Sequence, residues 1–220
     1  MKVFDATWSG AARLPGVPRL RILYEAQLLT GGLADWTKID QWAAGVSGLA
    51  CLDIECWPVG YRAYQEAQVS ASVAALSAVL ERAKRSGQPF GYFAMPPNAH
   101  YAVASPSLLP AYQAACAYLA PVLMASDAIF LEGYFWWDDL RQWRAALALA
   151  AAEARRYGKP VYAFLWDHGL LGKNVALPID VITAQLAFCA DLLDGVVWWS
   201  PSGQATDLSA AWWPALQAYL

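Results

Sequence analysis

The chain has 220 residues, 58% hydrophobic and 15% charged, with a net charge of −3 and a pI near 5.3. That acidic balance, with no basic cluster larger than Arg82-Ala83-Lys84-Arg85, excludes a nucleic-acid partner, because phosphate binding needs a basic surface. The length suits one domain, 1–220, of the size barrels occupy, and no segment approaches the roughly 18 apolar residues of a membrane span, so no membrane partner is expected.

Near the N-terminus, KVFDAT (2–7) predicts a strand, and RILYEA (21–26) predicts a second after the proline-broken loop LPGVP. DWTKIDQWAAG (35–45) predicts a helix. From there a unit recurs: a short apolar strand, a polar or aromatic loop, an amphipathic helix, and glycine before the next strand. The strands are LACLDIE (49–55), FGYFAM (90–95), DAIFLEGY (127–134), VYAFLW (161–166) and VVWWS (196–200). The helices fall at 70–86, 107–125, 138–157, 178–193 and 207–219. Glycine follows 70–86, 138–157 and 178–193 as a C-terminal cap, whereas the strand after 107–125 follows Met124-Ala125-Ser126 without one, and Lys or Arg in the last turns of 70–86 and 138–157 suits the helix dipole.

Near-continuous apolar strands alternating with helices imply a parallel α/β sheet. No GxGxxG or phosphate loop opens any helix, so a (β/α) TIM-like barrel of seven or eight parallel strands, regular or distorted, is favoured over a doubly wound sheet. The start MKVFDATWSG lacks a signal-peptide core, leaving cytoplasmic, phage-released and signal-removed secreted origins open. Cys51, Cys56, Cys116 and Cys189 have no CxxC spacing and read as buried free thiols. With His100 and His168 the two histidines, no multi-histidine metal centre is available, and no metal or other cofactor is expected.

Of the 18 acids, six sit in the C-terminal half of a predicted strand or just past it: Asp5, Glu25, Asp53, Glu55, Glu132 and Asp167. Only Asp127 is assigned to a strand start. In a parallel barrel the strand C-termini converge on the rim where barrel enzymes keep their chemistry. Asp53 and Glu55 share a face about 7 Å apart along their strand. Twelve tryptophans are the compositional outlier, and the same rim collects Trp8, Trp57, Tyr92, Tyr101, Tyr134, Trp136, Trp137, Trp166, Trp198 and Trp199. Trp36, Trp42, Trp143, Trp212 and Trp213 lie on helices and are assigned to packing. Aromatic rings offer flat apolar faces for sugars, and paired carboxyls suit glycosidic chemistry.

Glu55 is the expected general acid, its proton affinity raised by Asp53 and by burial near Trp57 and Trp199. Glu132 is the candidate nucleophile or base; otherwise Asp53 holds a substrate acetamide that attacks internally. Asp5, Trp8, Glu25, Trp57, Tyr92, Tyr101, Tyr134, Trp136, Trp166, Asp167 and Trp199 are the expected substrate-binding residues. The partner is then an oligosaccharide or polysaccharide.

From residue 49 onward the order of motifs resembles the hyaluronidases, a glycoside hydrolase family whose fold is a distorted barrel short of one strand. Their Asp-Trp-Glu-x-Trp-Arg-Pro motif is similar to Asp53-Ile54-Glu55-Cys56-Trp57-Pro58, with the arginine absent. GYFAMPPNAHY, KPVYAFLW and GVVWWS are similar to three later strands of the family. The resemblance implies Glu55 as proton donor, Asp53 as the group positioning the substrate acetamide, and Trp199 as a pocket wall. Ala99 and Phe130 stand where the family has tyrosines, and the acidic rim points to a neutral or basic glycan rather than polyanionic hyaluronan. The Asp-x-Glu ending a strand is also similar to family-25 lysozymes, which act on peptidoglycan. A non-catalytic glycan-binding barrel, and metal-dependent lyase or aldolase chemistry on Glu25, Asp53, Glu132 and His168, are the remaining alternatives.

Overall fold

A computed structural model of the protein describes residues 1–7, 13–59, 66–136, 138–169, 175–201, 203–204 and 206–220, with backbone alone for 66–68. In chain order the elements begin β1 Lys2–Ala6, β2 Arg21–Tyr24, α1 Glu25–Leu28, β3 Leu29–Thr30, β4 Leu33–Ala34, α2 Trp36–Ala44, β5 Ala50–Asp53, α3 Glu66–Lys84 and β6 Phe90–Tyr92. They continue with α4 His100–Ala104, α5 Leu109–Ala125, β7 Ile129–Glu132, α6 Leu140–Arg155, β8 Val161–Leu165, α7 Ile179–Leu192, β9 Gly195–Trp199 and α8 Trp212–Gln217.

The strands form two parallel sheets, β1-β9-β8-β7 and β2-β5-β6, with β3 and β4 a separate antiparallel hairpin. The sheets meet at two seams. At one, Asp5 N–H donates to Pro18 O (2.9 Å) and Leu20 N–H to Asp5 O (2.9 Å). At the other, Asp127 N–H donates to Phe90 O (2.8 Å) and Met95 N–H to Phe130 O (3.3 Å). Parallel strands covered by helices bury both faces, and β6 and β8 are buried throughout. Alternate residues from both sheets, including Cys51, Phe130, Tyr162, Phe164 and Val197, pack together between them. Edge-on contacts such as Phe130–Phe164 (5.8 Å) and Phe93–Phe164 (5.0 Å) fill that space with aromatic rings.

Three differences from the sequence expectations matter. The segment Leu29–Ala34, which the sequence pattern leaves unassigned, is a hairpin turning on Gly31 and Gly32 at φ +60° and +78°, which are glycine conformations. Helix α4, unforeseen, precedes α5. The stretch Pro106–Ala125 is long and apolar enough to cross a membrane by length and composition, which the sequence reading missed. Within it Tyr112, Ala115, Cys116, Leu119, Val122 and Leu123 are buried in the core.

Asp127 was expected alone at a strand start, but Asp194 is its counterpart. Asp127 accepts Phe90 N–H (3.0 Å) and Lys84 Nζ (2.8 Å), while Lys84 also donates to Ala125 O (2.8 Å). Asp194 accepts Val161 N–H (2.8 Å) and Arg155 Nη1 (2.7 Å), while Arg155 donates to Leu192 O (3.0 Å). The cations closing α3 and α6 thus join the end of a later helix to the aspartate that starts its strand. Gly195 is not a cap: it lies inside β9, where a Cβ would sit 2.2 Å from Lys2 O. Gly91 in β6 is equally constrained, 2.1 Å from Ala128 O.

Candidate active site

Strand β5 ends at Asp53, and the chain turns outward through Ile54, which is buried, to Glu55, which is exposed. Asp53 and Glu55 line a cavity of about 80 Å³ with Ile22, Phe93, Tyr134, Phe164 and Trp199. The walls come from β2, β8, β9 and the segments following β6 and β7, all at strand C-terminal ends or just beyond except Ile22, which lies within β2.

Burial pushes the Asp53 carboxyl up to about 7, assisted by the charges of Glu55 and Glu25 and by a hydrogen bond with Glu55. Asp53 Oδ1 is buried without a hydrogen-bond partner among the described residues. The sequence reading expected the upward push on Glu55; the structure places it on Asp53, because Asp53 ends a buried strand.

Glu25 accepts the backbone N–H of Glu55 (3.3 Å) and Cys56 (3.1 Å), fixing the turn that carries Glu55. Tyr24 lies in register with Asp53, and its hydroxyl accepts Trp199 Nε1 (3.4 Å). Sequence reasoning passed over Tyr24, although its place at the end of a strand on the same rim is the signal that finds it. Burial raises its phenol, with Asp53 adding to the rise. Trp199 meets Tyr134 at 5.3 Å between ring centres and Trp166 at 5.6 Å. Trp57 donates its indole N–H to Gly32 O (2.9 Å), so the hairpin holds it.

Glu132 ends β7 and accepts hydrogen bonds from the Trp136 indole and the Asn98 side chain. Burial raises it, those two bonds lower it, and Glu55 raises it further. Trp136 also borders a cleft of about 440 Å³ with Phe135, Asp138, Val175 and Leu177. Beyond β8, Asp167 pairs with His168 Nδ1 (2.8 Å), His168 stacks on Trp166 (5.0 Å), and Trp166 donates to Gln204 (3.1 Å).

Other expected binding residues lie elsewhere. Asp5 is 1% exposed and saturated by Thr7 N–H (2.8 Å), Thr7 Oγ1 (2.7 Å), Leu14 N–H (3.3 Å) and Arg19 (3.0 Å), so it ties the first loop. Tyr92 is buried and donates its hydroxyl to Leu76 O (2.9 Å) on α3, facing the helices. Tyr101 lies on α4, packed against the core. Trp198 alternates to the face opposite Trp199 and stacks on Trp212 at 4.8 Å. Trp8 and Trp137 lie outside the described residues. Of the helical tryptophans assigned to packing, Trp143 is buried, whereas Trp36 is 46% exposed. Cys51, Cys116 and Cys189 are buried free thiols, and Cys56 is an exposed one.

No protein-family model matches the chain, and no curated protein matches it in sequence. Solved structures do match its fold. Bee venom hyaluronidase superposes over 100% of this chain and 96% of its own, with a TM-score of 0.72 at 15% identity. Bee venom hyaluronidase in complex with a hyaluronic acid tetramer gives 100%, 94%, 0.71 and 14%. Fungal β-1,4-galactanase structure gives 92%, 77%, 0.55 and 12%. The chain is an α/β protein with parallel sheets whose fold is similar to those of bee venom hyaluronidase and a fungal β-1,4-galactanase.

Proposed function

We propose that the protein is a glycoside hydrolase acting on an oligo- or polysaccharide, with its chemistry centred on Asp53 and Glu55. One observation carries the reading: two carboxyl groups, Asp53 and Glu55, line one aromatic-walled cavity at the strand ends. The reading takes the two sheets as one distorted seven-strand barrel, supported by the hydrogen bonds at both seams. Fold likeness to a hyaluronidase crystallised with a hyaluronic acid tetramer supports a saccharide in the cleft.

Glu55, the exposed member, delivers its proton to the leaving glycosidic oxygen as the bond to the anomeric carbon breaks, and a water then bonds to that carbon and returns a proton to Glu55. Asp53 beside it, which keeps its own proton below about pH 7, donates a hydrogen bond to the carboxylate that Glu55 becomes. Glu132, held as an acceptor by two neutral donors, stabilises the positive charge growing on the sugar. Trp199 and Tyr134 supply ring faces. The residues lining the cavity include acids and no cation, which favours a neutral or basic glycan.

The test is reducing-end release by purified protein across acetylated and non-acetylated oligosaccharides, wild type against Glu55→Gln. The variant is expected to lose about 10²–10⁴-fold in kcat while keeping glycan affinity and melting temperature. A variant that hydrolyses as fast as wild type rules the assignment out.

A further inference from the structure

The segment between β6 and α4 contains a side chain that neither the motif comparison nor the acid pattern singles out. Asn98 Oδ1 accepts the backbone N–H of His100 (2.8 Å) and also meets His100 Nδ1. The backbone N–H can only donate, so it decides which end of the Asn98 amide is the oxygen. The amide nitrogen is then left to face the other way, where Asn98 hydrogen-bonds Glu132. His100 is buried, and burial lowers it to about 4, so its ring is neutral and Nδ1 carries the proton that Asn98 Oδ1 accepts. The His100 ring in turn lies edge-on to Trp136 at 6.3 Å, the second donor to Glu132. Both groups that grip the Glu132 carboxylate are therefore oriented from behind by one histidine.

We propose that Asn98, locked by the backbone and ring of His100, is the positioning residue that fixes the Glu132 carboxylate at the rim. A neutral amide suits this place, because a second carboxylate would repel Glu132, and a purely apolar side chain would leave a buried carboxylate short of a donor. Glu132 feels the charge of Glu55 across the rim, and its own charge raises the Tyr134 phenol two residues on, so Asn98 acts against the push of Glu55. The inference rests on the proposed reaction for the purpose of Glu132, but the contact itself is measurable without substrate.

The experiment is a carboxyl ¹³C titration of Glu132 in wild type and Asn98→Asp, with the Asn98 side-chain amide resonances followed in wild type. Asn98→Asp keeps an oxygen for the His100 N–H and removes the donor to Glu132. The Glu132 midpoint is expected to rise by about one pH unit or more in the variant, and the wild-type Asn98 amide signals to follow the Glu132 midpoint. Amide signals that stay flat through that midpoint overturn the proposal without any variant, as does an unmoved Glu132 in a folded Asn98→Asp. Lost hydrolysis with both resonance results intact counts against the proposed reaction and leaves this contact standing.

Discussion

Glu25 and Glu55 are linked by a backbone hydrogen bond: the Glu25 carboxylate accepts the Glu55 N–H at 3.3 Å and the next N–H, of Cys56, at 3.1 Å. A side chain at the start of α1 therefore sets where the chain leaves β5. Glu25→Gln retains an acceptor oxygen and Glu25→Leu retains none. Initial rates are expected to stay near wild type in the first and to fall about 10- to 100-fold in the second, with circular dichroism unchanged. Equal rates in the two variants would remove the positioning role.

Asp53 makes stability depend on pH with a definite sign. Its folded value of about 7 lies above the ordinary 3.8, so the folded state holds its proton more tightly than the unfolded one. The associated stability is fully present below about 4 and is lost as pH rises towards 7 and above. Asp53→Asn removes that loss, and it is expected to gain about 2 kcal/mol over wild type at pH 8, or about 4–8 °C in melting temperature, with little gain at pH 4. Thermal melts at the two pH values check it.

Trp136 is the indole donor to Glu132. Trp136→Phe keeps a ring and loses the N–H, which removes a bond that favours the ionised carboxylate. The acid limb of the kcat profile, where Glu132 must lose its proton, is expected to move to higher pH. An unmoved limb assigns that ionisation to another group.

At the opposite end of the strands, Asp127 and Asp194 each satisfy the buried N–H of a neighbouring strand. Asp127→Ala and Asp194→Ala are each expected to cost about 1–3 kcal/mol and to add in the double variant, with no change in kcat. Gly91→Ala forces a methyl against Ala128 O and is expected to lower the melting temperature by about 5–10 °C. Denaturant curves and melts measure all four.

The strand–helix rhythm was legible because each strand is a short apolar run closed by a glycine or proline turn, and all seven parallel strands lie where those runs fall. The β3–β4 hairpin had a signal, the Gly31-Gly32 pair, that gained no weight because its strands are two residues each. Within the site, Asp53 and Glu55 line one cavity as their spacing predicts, although β5 ends at Asp53 and the turn held by Glu25 carries Glu55. Period-two alternation applied to Trp198-Trp199 separates them, and only Trp199 reaches the rim. Tyr92 and Asp5 sit near strand ends yet turn to α3 and to Arg19, because buried polar groups take the nearest partner, and chain position alone does not name it. Asn98 was beyond sequence reading altogether: its contact with Glu132 joins the segment after β6 to the end of β7, which are distant in the chain.

Strand β1 pairs along its whole length with β9, Lys2 opposite Gly195 and Ala6 opposite Trp199. During synthesis β1 is made well before β9, and the groups it turns to β9 wait unpaired while the helices between them emerge. Such a closing contact carries the largest loop-closure cost in the molecule, so completion of the four-stranded sheet is expected to limit the folding rate. Until it forms, the apolar β1 is the segment most exposed to mispairing with another chain.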